Sequence, residues 1–138
     1  MRSELKTLFE NDAVLLGILI GGIYDRGEIN RTDTPEAFNA VGEVLPCALI
    51  TLGTRTPSIS DIPGTSDQYS TVYFYQQSGY NSIDAAMDRV FELLDYQSLE
   101  LSSGFNYEIT HANDLGDSFD DALSCSMNFS RYKAVIKR

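Results

Sequence analysis

The sequence predicts an α+β fold: one mostly antiparallel sheet of about four to five strands, with helices packed on one face. Three observations carry this prediction. Ile83, Ala86, Met87, Val90, Phe91 and Leu94 recur at helical spacing and form one apolar stripe. Residues 105–110 and 123–130 alternate apolar and polar side chains, as strands covered on one face do. No glycine-rich turn links a strand to a helix in a βαβ unit, so a doubly wound nucleotide fold is not indicated.

The elements follow in order. Residues 3–9 read as an amphipathic helix with Ser3 as cap and Leu5, Leu8 and Phe9 on one face. Asn11 and Asp12 interrupt it and cap a second helix over 13–19, which Gly21 and Gly22 close. Ile23 and Tyr24 then form a short strand. Thr34, Pro35 and Glu36 place a cap, a first-turn proline and an acid in sequence, which starts a turn or short helix running to about Val41. A strand covers 45–52, with Pro46 at its start where no ladder bond is lost.

From 53 to 70 serine, threonine, proline and glycine dominate, and a long loop or arm is expected. Thr71, Val72, Tyr73, Phe74 and Tyr75 lie in a strand over 69–77. Residues 78–81 turn into the helix of the apolar stripe, capped by Asn81 or Ser82, with Asp84, Asp88, Glu92 and Asp95 on its opposite face around Arg89. Two strands joined by a polar hairpin loop over 111–121 complete a single domain, 1–138.

At 138 residues the chain buries roughly 68–70% of its unfolded surface, enough for a core without staples. Twenty acids against ten bases leave a net charge of −10, which disfavours nonspecific gripping of phosphate backbones. Cys47 and Cys125 lie far apart with no CxxC spacing and read as buried free thiols. The chain begins without a signal-peptide pattern, and the apolar run 13–23 is too short to span a bilayer, so a soluble protein made in a reducing cytoplasm is expected.

Chemistry-bearing motifs are sparse. His111 is the one histidine; Asp114 and Asp117 are the neighbours that would join it at a metal, but a hairpin-loop histidine is the plainer reading. The acid-dense stretch 113–121 lacks the carboxylate spacing of an EF-hand, so solvated turn acids outweigh a calcium site. No phosphate loop, nucleophile elbow or zinc-protease motif is present, and no catalytic residue, metal site or cofactor is assigned. Charge is more telling: between 56 and 130 there are twelve acids and one base, Arg89, and bases return at Arg131, Lys133, Lys137 and Arg138. Taken alone, that layout reads as a solvated acidic surface; the sharper reading is a dipolar subunit, with an acidic face and a basic C-terminal contact suited to an unlike neighbour in a ring. The aromatic strand with Tyr69, Tyr73, Phe74 and Tyr75 carries no bases of its own, so packing is preferred to base stacking.

The layout resembles the tail-terminator, or tail-completion, proteins of long-tailed bacteriophages. The resemblance rests on Leu5-Lys6-Thr7-Leu8-Phe9 and Asp12-Ala13-Val14 leading to Gly22-Ile23-Tyr24, and on the strand opened by Leu45-Pro46. It rests further on Tyr73-Phe74-Tyr75-Gln76-Gln77-Ser78-Gly79-Tyr80 before the helix 84–94, and on two final strands. It covers nearly the whole chain; the insert at 34–41 and the loop at 53–70 depart from the shortest members. It implies a non-enzymatic virion protein at the neck of the particle, forming a ring, typically a hexamer. The ring would end tail-tube polymerisation, contact the tube protein and a head connector or stopper, and pass DNA without sequence-specific binding. On that reading Arg55, Ile59, Ile62 and Asp67 belong to a contact arm, and Asp84, Asp88, Glu92 and Asp95 line or rim the lumen. The alternatives are another neck protein (a head-completion stopper or connector subunit), a small metal-dependent cytoplasmic enzyme using His111 and the loop from Asp114 to Asp121, or a monomeric acidic adaptor or nucleic-acid mimic.

Overall fold

The computed structural model describes residues 1–57, 64–100 and 106–137. Ile59, Ile62, Phe105 and Arg138 lie outside the described residues.

Among the described residues, three helices and seven strands form the domain. Helices α1 (Arg2–Glu10) and α2 (Ala13–Ile18) lead to strand β1 (Ile23–Tyr24). A 3₁₀ turn at Pro35–Ala37 precedes the hairpin of β2 (Cys47–Pro57) and β3 (Thr65–Gln76). Helix α3 (Asn81–Leu94) is followed by β4 (Gln97–Glu100), β5 (Asn106–Asp114), β6 (Ser118–Asp120) and β7 (Cys125–Lys137). The sheet runs β1-β2-β3-β7-β5-β4, with β6 paired to β7. Among the described residues, only the β1–β2 pair is parallel.

The α+β class and the mostly antiparallel sheet agree with expectation, but seven strands replace about four to five. The additional strands, Gln97–Glu100 and Ser118–Asp120, are short and carry one apolar residue each, Leu99 and Phe119, so their pairing comes from neighbours rather than from their own pattern. The expected loop over 53–70 is also corrected: β2 runs on to Pro57, and β3 begins at Thr65. These polar residues hold strand geometry because β3 is laddered on both sides, to β2 and to β7. A register shift between Leu52 and Arg55 bends β2 where the apolar run ends. The turn or short helix expected out to Val41 is a single 3₁₀ turn ending at Ala37, and Thr34 makes no side-chain cap bond.

Both faces of the sheet are covered at one end. On the first face α1, α2 and α3 bury Leu5, Phe9, Leu15, Ile83, Val90 and Leu94 against Ile50, Val72, Phe74, Ile109, Tyr132 and Ala134. Full burial of such a side chain is worth roughly 1.5–3 kcal/mol. On the second face the segment 25–46 folds back and buries Ile29, Ala37 and Val44 against Cys47, Leu49, Tyr75 and Cys125. A sheet with one covered face was expected, so this second cluster is a correction. It explains the continuous apolar run from Cys47 to Ile50, all four residues of which are buried.

Strand β7 shows the same logic. Its early odd-numbered residues, Cys125 and Met127, face the second cluster, while the later even-numbered Tyr132, Ala134 and Ile136 lie under the helices. The apolar phase therefore changes sides near Ser130, which is why alternation alone ended the strand there.

Local features hold these layers in place. Gly21 is buried, and a Cβ there would meet the Pro46 carbonyl oxygen at 2.9 Å, because the Gly21 N–H donates to that oxygen at 2.7 Å. Arg31 donates to the Gly42 carbonyl at 2.8 Å and lies over the Phe38 ring at 5.6 Å, closing the 25–46 segment on itself. Asp12 caps α2 by accepting from the Leu15 N–H at 2.9 Å, as the sequence suggested. Helix α3 is capped otherwise. Neither Asn81 nor Ser82 caps it; the Gln76 Oε1, five residues before the helix, accepts from the N–H groups of Ser82 and Ile83.

Candidate functional site

Two surfaces concentrate the exposed chemistry, and they lie on opposite sides of the sheet. The first is a cleft of about 530 Å³ between α3 and strands β5 and β7, lined by Asp84, Asp88, Phe91, His111, Asp114 and Ser130 among others. Helical spacing puts Asp84, Asp88 and Glu92 on one exposed stripe of α3, with Phe91, 43% exposed, beside them.

His111 anchors the floor of this cleft. Its ring meets Phe91 and Tyr132 edge-on, with centroids 5.5 and 5.4 Å away. Its Nε2 lies 2.9 Å from the Asp114 Oδ1, which also accepts from the Ser130 hydroxyl at 2.8 Å. Asp95, half-buried at the end of α3, accepts from the His111 backbone N–H at 3.2 Å. The carboxylate thus stands between serine and histidine. An activated serine needs the reverse order, with histidine against the hydroxyl, so this arrangement orients side chains rather than generating a nucleophile.

Asp117 is exposed in the β5–β6 turn and does not join His111 and Asp114. Among the described residues, no three His, Cys, Asp or Glu side chains come close enough together to hold a metal ion. No helix among them is long and apolar enough to cross a membrane.

The second surface is the half of the opposite sheet face that the 25–46 segment leaves open. Arg131 and Lys133 lie here, half-buried, because they alternate with Tyr132 and Ala134, which pack under the helices. Arg131 stacks over the Tyr69 ring at 4.3 Å, and Tyr73 meets Phe129 edge-on at 5.4 Å. The bases missing from the aromatic strand itself are thus supplied by its neighbour β7, paired through Tyr69–Lys133 and Thr71–Arg131. Glu108 on β5 is exposed and, by strand alternation, shares the face of Thr110, which pairs with Lys133.

The other residues singled out in the sequence are placed as follows. Arg131, Lys133 and Lys137 belong to a central strand, not to a free tail. Arg55 is exposed on β2, and its Nε donates to the Gln68 Oε1 at 3.1 Å; Asp67 is buried on β3. Both sit in a strand ladder, through the Arg55–Gln68 and Thr56–Asp67 pairs, rather than in a loop. Cys47 and Cys125 are free and buried. Burial pushes the Cys47 thiol up to about 12 and the Cys125 thiol up to about 11, the latter raised further by Asp120. Sequence reading missed the Asp114–Ser130 bond, since it joins positions on two different strands.

No family model matches the chain, and no curated protein matches it. Among solved structures, the chain is similar to one from the virion of a native gene transfer agent (GTA) particle. The two share 15% sequence identity with a TM-score of 0.72, over 100% of this chain and 95% of the other. The likeness is one of fold across the full length.

Proposed function

We propose that this chain is a non-enzymatic structural subunit of a phage-like virion. In this reading it is a tail-terminator-type protein of the neck, forming a homo-oligomeric ring that ends tail-tube polymerisation and joins the tail to a head connector. The observation that carries the proposal is the full-length fold likeness to a chain of a gene transfer agent virion, at a TM-score of 0.72. The layout of elements read from the sequence points the same way, and a net charge of −10 suits the wall of a channel through which DNA slides without sticking.

The end of the β2–β3 hairpin, with Arg55 exposed on it, extends the proposal to a contact arm toward a neighbouring subunit or the tube. Asp84, Asp88 and Glu92 of α3, with Asp95 at its C-terminal end, are the proposed lining or rim of the lumen.

Native mass measured by multi-angle light scattering across concentration, alone and with purified tail tubes, tests the reading. A ring in solution, or a monomer that assembles on tube ends, is the expected result. A chain that stays monomeric and ignores tubes overturns it.

A further inference from the structure

We propose that the open half of the sheet, centred on Tyr69, Arg131 and Lys133, is the docking face for the acidic side of helix α3 on a second copy of this chain. The proposal rests on the ring-forming reading above and assigns its subunit contact.

Charge complementarity selects the occupant. In a chain with twice as many acids as bases, the open sheet face presents two bases on its central strand, half-buried among aromatic rings. The acids on this face are Glu108, exposed on the flanking strand β5, and Asp67, which is buried on β3. The α3 side presents the converse. Asp84, Asp88 and Asp114 converge on the cleft, and among the described residues neither Asp84 nor Asp88 has an ion-pair partner. The one cation of α3, Arg89, is already engaged by Asp12 and Glu92.

The two surfaces lie on opposite faces of one sheet, so they cannot meet within a chain. They can meet only between copies, and then head to tail, which is the heterologous contact a ring repeats. Stacking over Tyr69 at 4.3 Å restrains the Arg131 side chain before contact, which lowers the entropy cost of docking it. Phe91, 43% exposed beside the carboxylates, supplies apolar surface to set against Tyr69 and Phe129. Under this assignment Asp84 and Asp88 belong to the contact, and Glu92 and Asp95 remain for the rim.

Two charge-reversed chains test it: one carrying Arg131→Glu and Lys133→Glu, the other Asp84→Lys and Asp88→Lys. Each is checked for native circular dichroism. Because Arg131 and Lys133 are half-buried, a milder Arg131→Gln, Lys133→Gln chain accompanies the first. Each reversed chain alone should need about tenfold or more higher concentration to assemble than the unaltered chain, or fail to assemble. An equimolar mixture should recover oligomers, because contacts between unlike chains then join, in alternation, a reversed face to a reversed helix and an unaltered face to an unaltered helix. Those oligomers should hold even numbers of subunits, with the two chains alternating.

Reversed chains that form rings as the unaltered chain does overturn the docking assignment and leave the ring reading standing. A mixture that stays monomeric while the unaltered chain forms rings overturns the pairing of these two surfaces. An unaltered chain that assembles neither alone nor on tubes overturns both.

Discussion

Asp12 and Arg89, 77 residues apart in sequence, are joined by two parallel hydrogen bonds, Nε to Oδ2 at 2.9 Å and Nη2 to Oδ1 at 2.6 Å. The same carboxylate caps α2 through the Leu15 N–H. One side chain therefore starts a helix and ties it to α3, the helix that carries the acidic stripe.

Asp12→Ala should lower the unfolding midpoint, since loss of the cap alone costs about 1 kcal/mol and the fork to Arg89 is lost with it. Asp12→Asn keeps an acceptor for the Leu15 N–H and should cost less. The hydrogen-bonded Arg89 guanidinium holds the Asp12 carboxyl below the ordinary value of 3.8. A depressed folded value means that this contribution is fully present above pH 3.8 and is lost as pH falls toward the folded value. Urea midpoints measured from pH 6 downward should therefore fall less steeply for Asp12→Asn than for the unaltered chain below about pH 4. Parallel acid limbs would remove Asp12 as a source of the acid sensitivity.

Gln76 closes the start of α3 from outside the helix. Its Oε1 accepts from Ser82 N–H at 2.9 Å and Ile83 N–H at 3.2 Å, and its Nε2 donates to the Ser78 carbonyl and to the Asn81 side chain. Gln76→Ala should destabilise the chain by about 1–2 kcal/mol, as loss of a helix cap does. Gln76→Glu, which keeps the acceptor, should lose less. Ser82→Ala should be nearly silent, because Ser82 contributes no cap. Urea unfolding of the three chains side by side checks the order, and a larger loss in Ser82→Ala than in Gln76→Ala would reverse it.

The thiols of Cys47 and Cys125 should resist modification in the native state. Both are fully buried, and burial raises their ionisation well above neutral pH, to about 12 and about 11. A thiol-reactive dye at pH 7.5 should label neither on the timescale on which it labels both in denaturant. Rapid native labelling would show that the second cluster, where Ile29, Ala37 and Val44 cover these residues, opens readily.

Much of the fold was legible because its signals are local. The stripe of α3 needs only a 3.6-residue period, and five of its six apolar positions are buried: Ile83, Ala86, Met87, Val90 and Leu94. Phe91, the sixth, is half-exposed at the cleft instead, and no period distinguishes a residue at the edge of a stripe from one at its centre. Strand β6 and the outer half of the β2–β3 hairpin were not legible. Their residues are mostly polar and show no sustained alternation, and it is the ladders to β7 and between β2 and β3 that make them strands.

Of the candidate surfaces, composition alone marked the acids of α3 and the bases near the C-terminus. It could not set them on opposite faces. That follows from the change of apolar phase along β7, which turns Arg131 and Lys133 away from the helices while Tyr132 and Ala134 stay beneath them.

The sequence by itself determined the α+β class, the acidic balance, the buried thiols and the helix that bears the carboxylates, because these depend on side-chain type and short-range spacing. Only the tertiary structure decided the seven-stranded sheet, the second buried cluster under residues 25–46, and the aromatic and basic residues gathered on one open face. These features come from contacts between segments far apart in the chain, and such contacts leave no periodic trace in either partner read alone.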